Sequence, residues 1–391
     1  MFSSPPKGAW FVWSLFLTSL SLAMLIGHTA LADEVTNDNQ EASVVMSADE
    51  GLLVTSADGD YSLRVRSRFQ LRYLLETDGS DPQHSSFYLR RLQPDIQGHA
   101  FSEDLTFRLM PDFSRTASLR DGWVSYRFHD AFQLRAGQFN VPFTWERHLP
   151  PTRQQFVERS VANNHFQWPT GRDLGLMVHG NPLDNLRYGV SVVSGQGINA
   201  ARSETAGHAI TGRVVFTPAG RYETSEVLIR PAEDLNLSIG GGGYFAFDST
   251  AREWNLWDGA VGTEADVWGA TTDVHLRWSR LSMHLAGFFR DVRPDTAEMA
   301  APIQSYDGFG YTAHAGVLVV PELLFASVRH SATTPVFRDD VGRQMETLGG
   351  LQFFHRGHAS KLHLESGVRS DHDGHGFDHN YLVQLQYQFL F

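Results

Sequence analysis

Arg64, Arg66, Arg68 and Arg72 fall at even spacing within 14 residues of chain, and they are the residues best placed to do chemistry. Successive side chains of an extended strand point to opposite faces, so the four share one face with Ser62 and Gln70. The opposite face carries Tyr61, Leu63, Val65, Ser67, Phe69, Leu71 and Tyr73. A guanidinium stays charged at any physiological pH and offers a planar fork of donors to an oxyanion. The chemistry is therefore recognition and concentration of anions, with no bond made or broken. Such a row has two settings. One is the solvated face of a soluble sheet with scattered carboxylate partners. The other is the water-filled wall of a barrel. Lipid is excluded, because an arginine at the midplane of a barrel wall costs about 2–4 kcal/mol. Arg90 and Arg91 come next; strict alternation lets one face inward, and the phase set by Leu89 and Gln93 selects Arg91.

The elements that must hold these arginines are strands. In the last twelve residues Tyr381, Val383, Leu385, Tyr387, Phe389 and Phe391 fall on one face, and Gln384, Gln386 and Gln388 on the other. Aromatics at both ends of the apolar face fit a strand anchored at both membrane interfaces. At the other end, Trp10 to Ile26 is an apolar stretch behind Lys7, and Ala30-Leu31-Ala32 fits the small-x-small rule, so 1–32 reads as a secretory signal peptide cleaved near Ala32. An uncleaved anchor is the competing reading. No later window has the 18 or so apolar residues of a membrane helix. The absence of cysteine suits an exported fold that needs no disulfide. Removing 1–32 takes away one base and no acid, leaving a formal charge of −13. That balance argues against nonspecific nucleic-acid binding.

Sixteen alternating segments can be drawn: 61–74, 87–101, 105–112, 119–129, 132–139, 173–180, 186–193, 209–217, 235–247, 267–278, 281–291, 307–320, 323–330, 344–354, 359–369 and 380–391. Their connections alternate short and long, as do the turns and loops of outer-membrane barrels. One short-side connection, 218–234, is unusually long. The expected fold is an all-β transmembrane antiparallel barrel over 59–391, with a loose periplasmic extension at 33–58.

Residues 121–180 add a resemblance. Asp121-Gly-Trp-Val-Ser-Tyr-Arg-Phe128, Leu134-Arg-Ala-Gly-Gln-Phe-Asn-Val-Pro-Phe143, Phe156-Val-Glu-Arg-Ser160 and Gly171-Arg-Asp-Leu-Gly-Leu176 match, in order and spacing, motifs of the phosphate-selective porin O and P family. The resemblance implies a homotrimeric sixteen-stranded channel in the bacterial outer membrane. It implies a third external loop folded into the lumen, and small anions such as phosphate as cargo. The connection 140–172 would be that loop. It is rich in aromatics, and Thr152 with Gln155 has capping-box spacing, so a short helix is expected near 153–162. Arg147, Arg153, Arg159 and Arg172 would be offered to the lumen, with Glu146, Glu158 and Asp173 as local partners in the alternative reading. One departure stands out: Lys361 is the only lysine after the signal. A lysine at a constriction is not expected, and anion preference must rest on arginine.

Enzymatic motifs are sparse. Gly195-Gln-Gly-Ile-Asn-Ala200 fits a dinucleotide fingerprint but no amphipathic helix follows it. The His- and Asp-rich stretch 371–379 has metal-ligand residue types, yet reads as a hydrated external loop. Gly240 to Gly243 lie inside a strand, where something must approach closely. The reading is a porin passing small anions by passive diffusion through an arginine-lined lumen, with outer-membrane lipid and a homotrimer as partners, no cofactor and no metal. The alternatives are a non-selective porin and, in another class, a barrel enzyme or adhesin.

Overall fold

The computed structural model describes residues 41–47, 51–79, 82–200, 207–250, 264–294, 308–335, 342–372 and 375–391. The signal peptide reading therefore lies outside the described residues. So do parts of the connections at 251–263 and 295–307, and two residues of the His- and Asp-rich stretch.

Period-two alternation becomes a closed antiparallel barrel of sixteen strands. The barrel strands are β3 to β18, and two short strands precede them; in chain order the eighteen are β1 (Ser43–Ser47), β2 (Gly51–Thr55), β3 (Ser62–Thr77), β4 (Pro82–Ala100), β5 (Ser102–Asp112), β6 (Ser118–His129), β7 (Phe132–Asn140), β8 (Arg172–Leu183), β9 (Leu186–Val193) and β10 (His208–Ala219). They continue with β11 (Ala232–Thr250), β12 (Glu264–Ser279), β13 (Leu281–Pro294), β14 (Gly308–Val320), β15 (Leu324–Pro335), β16 (Gln344–Arg356), β17 (Ser360–His372) and β18 (Phe377–Leu390). Each of β3 to β18 pairs with its sequence neighbours, and β18 closes on β3, with Phe389 opposite Phe69. The terminal Phe391 completes that seam by exchanging backbone hydrogen bonds with Ser67. The short strands β1 and β2 form a hairpin, and β2 pairs with Ser62 to Val65 of β3, below the stretch that β18 occupies. The extension expected to be loose thus contains two strands, because the lower edge of β3 has no other partner to satisfy its backbone groups.

The two faces have opposite chemistry. Leu176, Val190, Val192, Ile210, Val214, Leu285, Phe309, Val328, Tyr381 and Leu385 are exposed apolar residues on the outer face. Their strand neighbours Ser191, Thr211, Arg213, Thr271, His275, His284, His314, Arg329, Gln384 and Gln386 are buried and polar. A soluble domain would reverse that arrangement; a barrel in lipid requires it. No helix among the described residues is long and apolar enough to cross a membrane.

The long segment 141–171 is packed on the buried face. It contains the helices α1 (Trp145–His148) and α2 (Val161–Phe166), with short 3-10 turns at Pro151–Arg153 and Pro169–Gly171. The helix expected at 153–162 does not form. Pro150 and Pro151 break the chain, and the irregular stretch after them turns its amides toward carboxylates. The N–H groups of Gln155, Val157, Ser160 and Val161 donate to Glu226 (2.7 Å), Glu365 (3.0 Å), Glu146 (2.9 Å) and Glu346 (2.9 Å). These bonds replace helical ones. Capping falls to Ser160, whose hydroxyl accepts from the Asn163 amide at 3.1 Å and starts α2. Gln155 instead donates its side-chain amide to the Glu226 carbonyl.

Two clusters fix the ends of this segment. Phe143 and Trp168 pack with Phe139, Val193, Tyr244, Val267 and Val292; Ala162 and Phe166 pack on Ala286 and Phe288. The strand glycines explain the close approach: a Cβ on Gly242 would lie 2.7 Å from the Phe143 carbonyl oxygen. From the opposite end of the barrel, the unusually long connection between β10 and β11 comes up to meet the segment. Glu226 is buried there, its N–H donates to the Arg153 carbonyl at 3.0 Å, and Val227 and Leu228 pack on Leu318, Phe325 and Phe354.

Candidate functional site

Between the wall β3–β8 and the segment 141–171 lies a cavity of about 730 Å³. Ten arginines line it. Arg66, Arg68, Arg90, Arg91, Arg108, Arg120 and Arg172 come from the strands, and Arg147, Arg153 and Arg159 from the segment. Among the described residues, two acidic side chains, Asp95 and Asp112, line the same space. Seven of the nine arginines expected from the sequence are here. Arg72 lies in an adjoining cavity of about 510 Å³ toward the long-loop end, with Arg90, Arg115, Arg120, Arg369 and Glu158. Arg64 lines neither.

The acids of this wall are already engaged. Asp95 accepts two hydrogen bonds from Arg108, at 2.7 and 2.9 Å, and one from Arg66 at 3.1 Å. Asp121 accepts two from Arg172, at 3.0 and 3.2 Å. Asp112 is held by the Gln93 side chain at 2.6 Å and the Ser114 amide at 3.0 Å. The local pairing imagined for the segment is also rearranged. Glu146 bonds Ser160, not Arg147; Asp173 accepts from Trp168, Ser194 and Gly197; Glu158 reaches Arg72 and Arg90.

Six lining arginines are left without a carboxylate among the described residues: Arg68, Arg91, Arg120, Arg147, Arg153 and Arg159. Arg68 donates to the Gln93 amide oxygen at 2.5 Å and Arg91 to that of Gln70 at 2.7 Å. Arg159 donates to the Glu146 carbonyl at 2.9 Å and Arg147 to that of Thr170. These neutral acceptors orient the guanidiniums without discharging them. Burial, and after it Arg159 and Arg172, push the Arg147 guanidinium well below its ordinary value; burial and Arg172 push Arg159 to about 10. Both remain cations near neutrality. The cluster is an array of oriented, partly desolvated donors in which arginines outnumber the lining acidic side chains.

Three lining arginines were not among the expected ones, and two of them have the same cause. The β3–β4 pairing passes from Gln70–Arg91 to Leu71–Leu89, which leaves Arg90 as an extra residue. The β5–β6 pairing passes from Met110–Asp121 to Pro111–Leu119, which leaves Arg120 extra. A β-bulge re-aims its extra side chain. Arg90 therefore faces inward together with Arg91, and the expectation that only one could do so is corrected. Arg108 carries a signal in the sequence, since it alternates with Phe107 and Leu109 on its strand.

Arg90, Asp112 and Arg120 border both the 730 and the 510 Å³ cavities and so form the neck between them. At the other end Arg153, Ile229, Gly357 and His358 are shared with a third cavity of about 1130 Å³ near the short turns. Lys361 lines none of the three; it is buried and donates to the Gln352 amide oxygen at 2.6 Å.

The family model of phosphate-selective porin O and P matches residues 61–230. No curated protein sequence matches the chain. Among solved structures, a loop-deletion mutant of the outer membrane protein OmpT of Vibrio cholerae superposes with a TM-score of 0.59 at 9% identity, covering 85% of this chain and 100% of that one. OprB of Pseudomonas putida gives 0.56 at 12% identity, over 84% and 94% of the two chains. The trimer form of Vibrio cholerae OmpT gives 0.54 at 9%, over 85% and 99%. At these identities the likeness is one of fold. Residues 61–230, which hold most of the arginine wall and the whole segment packed against it, thus match the family model of phosphate-selective porin O and P, and the closed barrel around them has the fold of outer membrane proteins such as OmpT of Vibrio cholerae.

Proposed function

We propose that this porin prefers small anions, and that the segment 141–171 folds into the lumen and confines the path to the arginine wall. The path runs from the 510 Å³ vestibule, past the neck at Arg90, Asp112 and Arg120, through the 730 Å³ cavity, and out beside Arg153 and Ile229. Transport is passive and needs no cofactor. The observation that carries this reading is the set of six lining arginines with no carboxylate partner. A mobile anion is the group that completes them. Two unit charges about 4 Å apart interact by roughly 4 kcal/mol at an effective dielectric near 20, so several such cations lower the barrier to an anion and raise it to a cation. Phosphate as cargo is supported by the family match and by the fork geometry of guanidinium toward oxyanions. The pore-lining role belongs to Arg66, Arg68, Arg91, Arg147, Arg153, Arg159 and Arg172, together with Arg90, Arg108 and Arg120. A homotrimer is proposed from the resemblance, with the trimer form of one structural relative in support.

The reversal potential of the purified protein in a planar bilayer under a KCl gradient tests the reading. A potential on the chloride side is expected. A potassium-side potential at low salt overturns it, and the net acidic chain then lines its own pore with acid.

A further inference from the structure

One carboxylate stands inside the path in the position of the cargo. Glu158, on the segment 141–171, takes both donors of the Arg90 fork: Oε1 receives the Nε–H and Oε2 the Nη2–H, the latter at 3.0 Å. Its Oε1 also receives Arg72 Nη1 at 2.7 Å. The two arginines differ in what else holds them. Arg72 donates to Gln386 at 2.7 Å, to the Val157 carbonyl at 3.0 Å, and to Gln384 and Tyr88 at 3.2 Å each. It stays satisfied if Glu158 is removed. Arg90 makes hydrogen bonds with Glu158 alone among the described residues, and it borders the neck beside Arg120.

The segment does not depend on this carboxylate for its place. The Val157 and Val161 amides bind Glu365 and Glu346, the Ala162 amide binds Ser331 at 3.1 Å, and Arg329 binds the Glu158 backbone carbonyl at 2.8 Å. The side chain of Glu158 is thus free to serve a purpose other than anchoring. Burial pushes its carboxyl up, but Arg90 and Arg72 outweigh burial and hold it well below the usual range, so it is an anion at working pH.

Resting on the anion-channel reading, we infer that Glu158 is a resident counter-anion that sets the ion specificity of the neck: a passing solute must displace it from Arg90. Chloride offers one charge and no fork. A tetrahedral oxyanion of charge near two, such as inorganic phosphate, offers two oxygens at the spacing a carboxylate offers and exceeds its charge. Glu158 therefore lets such an oxyanion compete while weakening its hold, which favours release over trapping.

The test measures inhibition of chloride current through single channels by added inorganic phosphate in 0.1 M KCl. Glu158→Gln is expected to lower the half-inhibiting phosphate concentration by about tenfold, the size of one charge-assisted hydrogen-bond pair becoming available. Glu158→Asp, which keeps the charge but withdraws it by one methylene, is expected to lower it by a smaller factor. In an Arg90→Gln background the effect of Glu158→Gln is expected to shrink below about twofold, because the freed fork is gone. The inference is overturned if Glu158→Gln leaves phosphate inhibition at the wild-type value. It is also overturned if the change is equally large in the Arg90→Gln background, since Glu158 then acts as a distant charge. These results are separable from failure of the anion reading, which appears in the wild-type protein as a potassium-side reversal potential.

Discussion

Two walls of this barrel carry polar side chains inward by the same alternation and put them to different use. On β3–β8 the inward arginines face a cavity, and three of them, Arg68, Arg91 and Arg120, have no carboxylate partner among the described residues. On β12–β17 the inward side chains include His275, His284, His314, Arg329, His363 and Glu365, all buried. Here the segment 141–171 and the connection after β10 are packed directly on them. The Trp145 ring lies 4.3 Å from His275 and 4.6 Å from His284, centroid to centroid. Arg329 is paired with Glu346 at 2.9 Å, both nearly inaccessible. Arg329 and Glu346 balance one another on this side, and the polar groups act as a scaffold that holds the segment. The difference teaches that what an inward polar residue is free to bind is set by what covers it, and not by its type or phase alone.

The strongest way to break the comparison is to reverse the sign of the open wall. Changing Arg68, Arg91 and Arg120 together to Glu is expected to move the reversal potential to the potassium side at low salt. The shift is expected to shrink above about 1 M KCl, where the Debye length is only about 3 Å. A folded triple mutant that still favours chloride at 50 mM salt would show that this wall does not line the path.

Removing the cover comes next. Excision of 150–165 takes away Phe156, Val157 and most of α2. Single-channel conductance is expected to rise severalfold, and anion preference to weaken as the path widens onto the balanced wall. Unchanged conductance in a correctly folded deletion would place the segment away from the conducting cross-section.

On the sealed wall the same kind of change is expected to act on stability. Arg329→Ala leaves Glu346 as a buried charge with only Arg369 nearby at 3.4 Å. The expected loss is about 3–5 kcal/mol, read from urea unfolding in detergent or bilayer, with the reversal potential of the surviving channels unmoved. A shifted ion preference would mean the wall is not sealed.

The smallest effect is that of pH. The open wall is built of guanidiniums, the side chain that holds its charge most firmly, so its preference is expected to persist from pH 8 to pH 5. The Glu158 carboxyl is raised by burial and lowered further by Arg90 and Arg72, ending well below its ordinary range. Its contribution is therefore complete above an unfolded value of about 4.3 and is lost only as pH falls through the depressed folded value. Chloride preference and phosphate inhibition measured at pH 7 and pH 5.5 are expected to agree once the charge state of phosphate itself is allowed for.

The period-two pattern by itself determined the strands, their closure and the sides they show to lipid and lumen. Tyr381, Val383, Leu385, Tyr387 and Phe389 outside and Gln384, Gln386 and Gln388 inside follow directly from a backbone whose side chains alternate. It also placed seven of the lining arginines in the right region, because three lie on strands of known phase and four in the one long aromatic connection between motifs. Arg90 and Arg120 escaped it, since a bulge is decided by the pairing of two strands and leaves no mark in the alternation of either one. The helix near 153–162 failed for a similar reason: the amides that would have closed it are taken by Glu226, Glu365, Glu146 and Glu346, three of them far along the chain. Which arginines keep their charge available, and which wall is covered, are matters of distance between residues remote in sequence. Only the closed barrel brings those residues within the few ångströms over which ion pairs and hydrogen bonds act.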